Sequence, residues 1–137
     1  MKEISESWRE PVTMTPIGVI RTPFHSREET PKDGKVMPEA EGELIVDEKY
    51  LEAMADMAVG KQYQILFVFN RSVGYKQTVA LRGTGPMTGL FSTHAPSRPN
   101  PIGVSVITVT AIDGSRLRFT GVDMMDGTPV LDIKSWT

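Results

Sequence analysis

The sequence has no cysteine, and this absence removes several classes of protein at once. Disulfide bonds, thiolate metal sites and cysteine nucleophiles are excluded. Histidine is scarce as well: His25 and His94 are far apart in the chain, so we expect no metal site. No apolar run approaches the length of a membrane span and no signal-peptide pattern is present, so we expect no membrane association. These absences together favour a cytoplasmic protein.

Acidic side chains are missing from one long stretch. Residues 57–112 contain neither Asp nor Glu, although the whole chain has 17 acidic residues and a formal net charge of −2. One explanation is that buried strands hold few acids. The other is a positive face for an anionic partner, which the five cations of this stretch favour. These cations are Lys61, Arg71, Lys76, Arg82 and Arg98.

The familiar catalytic signatures are also missing. The chain has no Gly-Lys-Ser/Thr phosphate loop, no Gly-x-Gly-x-x-Gly turn opening a helix after a strand, and no Gly-x-Ser-x-Gly. Without cysteine and with two distant histidines, covalent catalysis is not expected. We therefore assign no catalytic residue from the sequence and look for groups that bind a ligand.

Short apolar runs separated by turn residues predict a mostly β chain. The Asp113-Gly114 pair between two such runs predicts a hairpin, and 63–69 is apolar enough to be buried on both faces. One helix of about three turns is expected, with Asp47 as its N-cap and Gly60 as its end. The predicted strands are 15–21, 41–46, 63–69, 78–82, 87–92, 102–112 and 115–122.

The length of 137 residues suits a single domain. We expect a flexible N-terminal tail over 1–14 and one folded domain over 15–137. With many short strands and one short helix, this domain is predicted to be a small β-barrel or a sandwich, and the barrel is our fold prediction.

A proline-locked loop interrupts the apolar sequence at 96–101. Three prolines in six residues exclude a regular helix or a central strand there. Arg98 within this loop could grip a carboxylate or phosphate, or it could be solvated. Asn100 could touch a ligand or cap the backbone, and His94 could stack on a ligand or lie on the surface.

A second polar loop, 126–129, reads Asp-Gly-Thr-Pro between apolar segments. Asp126 could accept a hydrogen bond from a ligand or close its own turn. Asp123 and Asp132 flank this loop and could orient basic residues such as Arg98. We expect the two loops to line one site.

Three stretches carry a resemblance to a known family. FSTHAPSRPNPIGVS (91–105), DMMDGTPVLDIKSW (123–136) and PIGVIRTPF (16–24) resemble the motifs of the TrmO/TsaA (YaeB-like) family of tRNA N6-threonylcarbamoyladenosine methyltransferases. The resemblance implies a small β-barrel that binds S-adenosylmethionine near a homodimer interface. It also implies methyl transfer to N6 of threonylcarbamoyladenosine-37 in tRNA.

The resemblance also implies site residues. The acid-free stretch would face tRNA, with Arg71, Lys76 and Arg82 contacting phosphates, and Arg98 and Asn100 would support the cofactor site. The cofactor contacts implied by the family are Pro31, Lys32, Asp33, Phe69, Asn70, His94, Val104, Asp126, Gly127, Thr128 and Pro129.

The sequence departs from the family pattern at several positions. His94 replaces the usual arginine, Asn70 stands where many members have histidine, and Ser135-Trp136 replaces Pro-Tyr. The C-terminal extension of longer members is not present after residue 137. Two alternatives therefore stay open: a barrel that binds S-adenosylmethionine or a nucleotide without catalysis, and a methyltransferase of the same fold with a different acceptor.

Overall fold

The computed structural model describes residues 5–26, 28–31 and 39–136. Their regular structure is dominated by eight β-strands joined by turns and short 3-10 helices. In chain order the strands are β1 (Gly18–Arg21), β2 (Glu41–Val46), β3 (Gln62–Val68), β4 (Thr78–Ala80), β5 (Met87–Gly89), β6 (Ile102–Asp113), β7 (Arg116–Thr120) and β8 (Pro129–Ser135).

Six of the strands close into a barrel in the order β1-β2-β7-β6-β3-β8. Every neighbouring pair is antiparallel, and the ring closes where Gly18 of β1 lies opposite Val130 of β8. Strands β4 and β5 pair only with each other and form a separate hairpin. The prediction of a mostly β protein with a small barrel is confirmed.

The core fills the barrel with alternate residues of its strands. In β3 the side chains of Tyr63, Ile65 and Phe67 are buried, whereas Gln64 and Leu66 are only partly covered. The expectation that this strand is buried on both faces is therefore wrong. An antiparallel barrel has an outer face exposed to solvent or to a partner, so its strands alternate between the two environments.

The predicted helix is present in a shorter and tighter form. Asp47 caps it as expected, since its side chain accepts a hydrogen bond from the Lys49 backbone N–H at 3.1 Å. The segment is a 3-10 helix over Glu48–Met54, however, and not an α-helix of three turns. Only Met54 within it is buried, so little packing energy favours a longer α-helix.

Strand β8 was not assigned from the sequence, although the apolar residues after the second loop belong to it. Asp126-Gly127-Thr128-Pro129 reads as a turn, and the strand begins at its last residue, Pro129. The hairpin between β6 and β7 is confirmed, with Gly114 at a positive φ of 59°.

Outside the barrel, a 3-10 helix covers Glu6–Arg9. Within the ranges described above, no helix is long and apolar enough to cross a membrane.

Candidate functional site

The two polar loops meet the end of β3 at one end of the barrel. Strand β3 lies between β6 and β8, and Phe67 near its end is opposite Gly103 of β6 and Val130 of β8. Just beyond the strand, the Phe69 N–H donates to the Pro101 carbonyl at 2.7 Å. The loops that precede β6 and β8 therefore flank the residues that follow β3, which brings three predicted stretches into one region.

A close approach at Gly103 sets the position of two phenylalanines. A Cβ atom on Gly103 would lie 2.4 Å from the ring of Phe67. Only glycine at this position of β6 therefore leaves room for the ring. The Phe67 ring in turn meets Phe69 edge to face, with 5.1 Å between the ring centroids. Phe67 is buried as expected, whereas Phe69 is only partly buried and keeps an edge near the loops.

Asp126 ties the second loop to the end of β1. Its Oδ1 atom accepts from the Thr22 backbone N–H at 3.0 Å and from Arg21 Nε at 2.9 Å. His25 Nδ1 lies 3.7 Å from the other carboxylate oxygen. The side chain of Asp126 is only 17% exposed, and these contacts hold the 21–25 segment against the second loop.

These contacts decide the charge state of Asp126. Burial on its own raises the pKa of the carboxyl, but the Thr22 N–H and the Arg21 guanidinium outweigh it and hold the pKa below the ordinary value of 3.8. The nearby His25 acts in the same direction. Asp126 is therefore ionised at neutral pH.

The rest of the second loop also closes on itself. The Thr128 hydroxyl donates to the Met125 carbonyl at 2.6 Å and is buried, and Gly127 has a positive φ of 83°. Pro129 starts β8 opposite Val19. Thr128 therefore closes the turn, whereas Asp126 bonds to the segment after β1 and not within its own loop. The expected cofactor contacts of this loop stay a prediction.

Arg71 is occupied by backbone carbonyls. Its two terminal nitrogens donate to the His25 carbonyl at 3.0 Å and to the Asp126 carbonyl at 3.4 Å. The sequence predicted a phosphate contact for this residue. In the structure its exposed guanidinium joins two loops, and the phosphate contact stays a prediction.

Arg98 is held within its own loop. One terminal nitrogen donates to the carbonyls of Thr93 and Ala95, both at 3.0 Å, and the other donates to the Leu90 carbonyl at 3.1 Å. Its guanidinium also lies 5.8 Å from the centre of the Phe91 ring. These bonds suit a supporting role more than a direct grip on a ligand.

Asp123 and Asp132, which flank the second loop, pair with residues other than the expected Arg98. Asp132 pairs with Lys134 at 2.9 Å, and Asp123 accepts from the Ser105 hydroxyl at 2.5 Å. The Ser105 bond links β6 to the segment before β8.

The remaining predicted cofactor residues differ in exposure. His94, Asn70, Asn100 and Val104 are exposed, so their side chains are available to a ligand. Pro31 is buried. Lys32 and Asp33 lie outside the described residues.

Two of the five cations of the acid-free stretch lie at opposite ends of β3. Lys61 precedes β3 and Arg71 follows it, so the strand separates them by roughly 20 Å. Arg71 and Arg98 are engaged by carbonyls, as described above. Lys76 and Arg82 are exposed, as are Lys61 and Arg71. Arg82 lies at the turn of the β4–β5 hairpin in a left-handed conformation of φ 54°.

Two clefts on the described part of the surface bear on the site. A polar pocket of about 370 Å³ lies beside the Asp126 contacts, between Arg21, His25 and Arg118. A larger cleft of about 1030 Å³ lies at the opposite end of the barrel, near Met54 and Trp136. The larger cleft contains none of the predicted cofactor residues. In the described part of the chain, no three His, Asp or Glu side chains are grouped as a metal site.

Sequence reasoning missed Arg21, Thr22 and His25 as partners of the second loop. The segment 16–24 was recognised only as a family motif. Nothing local in it signals a contact with a residue about a hundred positions away, so only the closed barrel reveals the pairing.

Residues 19–137 match the family model described as the tRNA-methyltransferase O N-terminal domain. The chain belongs to this family. The resemblance inferred from the three sequence motifs is thereby confirmed. The matched region includes both polar loops and all six strands of the barrel except the first residue of β1.

Solved and curated relatives agree with this membership. The crystal structure of TrmO from Pseudomonas aeruginosa superposes with a TM-score of 0.79 at 30% identity, covering 94% of this chain and 57% of that one. An S-adenosyl-L-methionine-binding protein of Archaeoglobus fulgidus is 30% identical over 90% of this chain and 88% of its own length. The mouse tRNA (adenine(37)-N6)-methyltransferase is 34% identical over 88% of this chain. The chain spans just over half of the solved TrmO chain and 30% of the mouse protein.

Proposed function

We propose that this TrmO-family chain binds S-adenosylmethionine and methylates N6 of adenosine-37 in tRNA, with threonylcarbamoyladenosine as the acceptor. The family match over residues 19–137 carries the proposal. The names of the Archaeoglobus and mouse relatives support the cofactor and the tRNA acceptor. A tRNA substrate also supports the cytoplasm as the site of action.

The side chains at the β3 end suit this cofactor chemically. Phe69 and Val104 offer apolar surface for an adenine ring, and Val104 is 46% exposed on β6. Exposed His94 and Asn100 offer polar groups for ribose hydroxyls or the amino-acid end. The cofactor contacts named from the family resemblance remain part of this proposal.

The proposed methyl transfer requires the protein mainly to align the methyl donor with its acceptor. Bound S-adenosylmethionine supplies a methyl group already activated on a sulfonium, so the chain must mainly orient donor and acceptor. The ordered loops serve this need: Asp126 fixes the second loop, and Arg98 fixes the proline-locked one. A preordered site loses less entropy on binding.

The proposed tRNA contacts are Lys76 and Arg82. Both side chains are exposed, and Arg82 lies at the tip of a hairpin outside the barrel. Long cationic side chains in such positions reach backbone phosphates readily.

We also propose a homodimer. On the outer face of the barrel, Leu66 lies opposite Val104 and Val68 lies opposite Ile102. Val104 and Ile102 are 46% and 41% exposed, and an apolar sheet face of this kind is typical of an interface. Val104→Glu should shift the chain to monomer in analytical ultracentrifugation, and an unchanged dimer would exclude this face.

A cofactor-binding protein without methyl transfer is the second candidate. The Archaeoglobus relative, which this chain covers over 88% of its length, is named for binding alone. The His94 and Asn70 departures from the family pattern point the same way.

The proposal is tested with labelled S-adenosylmethionine and two tRNA preparations, one carrying threonylcarbamoyladenosine-37 and one with unmodified adenosine-37. We expect label to enter only the first preparation, at N6. Cofactor binding without transfer to either preparation supports the second candidate. Transfer to a protein or small molecule, with tRNA inert, supports a different acceptor.

A further inference from the structure

Arg71 contacts two loops of the candidate site at once. It lies three residues past the end of β3. Its guanidinium reaches the loop after β1 and the loop before β8. One terminal nitrogen is 3.0 Å from the His25 carbonyl, and the other is 3.4 Å from the Asp126 carbonyl. The first nitrogen also lies 3.8 Å from Met125 Sδ.

The two loops that Arg71 contacts are already paired with each other. The Asp126 N–H donates to the Phe24 carbonyl and the Gly127 N–H donates to the Ile20 carbonyl, both at 2.7 Å. Those bonds join the end of β1 to the loop before β8. They do not include the end of β3, where Phe69 and Asn70 lie. Arg71 supplies that third connection.

We propose that Arg71 is a positioning residue, which fixes the β1 and β8 loops against the end of β3 and so orders the cofactor site before ligand arrives. This inference rests on the proposed function for the identity of the ligand. It replaces the phosphate contact that the cationic stretch suggested. The physical basis is that segments ordered in advance lose less conformational entropy on binding.

The contact needs arginine in particular. The two carbonyls are reached by two different nitrogens of one planar group, and the guanidinium presents such donors in a fixed geometry. A lysine ammonium is a single nitrogen on a flexible stem, so it cannot take the positions of the two terminal nitrogens that reach these carbonyls.

The first test compares Arg71→Ala and Arg71→Lys with Lys61→Ala, an exposed cation of the same acid-free stretch at the other end of β3. Titration calorimetry with S-adenosylmethionine should show affinity weakened by roughly tenfold in Arg71→Ala, as for the loss of hydrogen bonds from a charged donor. Arg71→Lys should lie closer to Ala than to wild type. Lys61→Ala should bind as wild type does.

The second measurement is amide hydrogen exchange without ligand. In Arg71→Ala the amides of Asp126 and Gly127 should exchange faster, while those of Ile65 and Ile107 in the barrel stay protected. If the wild-type chain binds no S-adenosylmethionine, the proposed function fails. Unchanged exchange at Asp126 and Gly127 overturns the positioning role separately.

Salt dependence of tRNA binding separates this role from a phosphate contact. A positioning residue leaves the slope of log affinity against log salt unchanged. Loss of one phosphate contact lowers its magnitude by about 0.7 to 0.9. A lowered slope with wild-type cofactor affinity in Arg71→Ala therefore overturns the inference and restores the phosphate contact.

Discussion

Arg21 and Asp126 are 105 residues apart in the chain, yet Arg21 Nε donates to Asp126 Oδ1 at 2.9 Å. Arg21 is 61% exposed, so the ion pair itself contributes little to stability. The same oxygen also accepts the Thr22 backbone N–H, which is more protected. The position of the Asp-Gly-Thr-Pro loop is therefore set by the first strand of the barrel.

Asp126→Asn should destabilise the chain in a pH-dependent way. Because the folded-state pKa of Asp126 lies below the ordinary value of 3.8, the ionised form stabilises the folded chain at pH above 3.8. This contribution is lost as the pH falls through the folded-state pKa. Denaturant unfolding should show a loss of about 1–2 kcal/mol at pH 7, and the difference from wild type should shrink below pH 3.8.

Asp132→Asn is the matched control, since Asp132 forms an exposed pair with Lys134. It should change the free energy of unfolding by less than about 0.5 kcal/mol. Equal losses in the two variants, or a difference for Asp126→Asn that does not vary with pH, would contradict the role given to Asp126.

Local patterns in the sequence predicted five of the six barrel strands and the β6–β7 hairpin, because alternation and turn residues are local signals. The same local logic missed β8, whose first residue, Pro129, completes a turn motif. It also suggested ligand contacts for Arg71, as a cation of the acid-free stretch, and for Arg98, as a cation in the proline-locked loop. In the structure both donate to backbone carbonyls. The sequence did not predict these bonds, because the position of a carbonyl depends on how the loops fold.

The second prediction tests whether Arg98 acts through its positive charge or through the geometry of its guanidinium group. If Arg98 orders the proline-locked loop through its three carbonyl bonds, Arg98→Lys should lose nearly as much cofactor affinity as Arg98→Ala, because a single ammonium nitrogen cannot take the positions of both terminal guanidinium nitrogens. If Arg98 grips the ligand by charge, Arg98→Lys should retain most of the affinity. Calorimetric titration of both variants, with melting temperatures as a folding control, separates the two.

Gly103→Ala should both destabilise the barrel and disturb the site. The new methyl group would overlap the Phe67 ring, and such overpacking costs about 1–3 kcal/mol. Phe69 packs against that ring, so cofactor affinity should fall as well. In Gly89→Ala, where the added methyl meets nothing within 4 Å, stability should stay within about 0.5 kcal/mol of wild type. An equally stable Gly103→Ala would show that the ring moves without cost.

Arg82 and Lys76 give a fourth prediction, for tRNA binding. Asparagine tolerates the left-handed conformation of Arg82, so Arg82→Asn removes the charge and preserves the turn. Together with Lys76→Gln it should weaken tRNA binding and lower the magnitude of the salt slope by about 1.4 to 1.8, for two phosphate contacts. Filter binding between 50 and 200 mM salt, about the range in which such slopes are measured, determines the salt slope of the variant and of the wild-type chain. An unchanged slope would place the tRNA surface elsewhere.

The most direct test of the account is a calorimetric titration of the purified chain, stripped of carried-over ligand, with S-adenosylmethionine. The account predicts saturable binding with about one site per chain, weakened in Arg98→Ala with little change in melting temperature. The absence of binding at roughly millimolar cofactor, an affinity weaker than about −4 kcal/mol, would contradict it. The barrel would stand after that result, and the assignment of a methyltransferase would not.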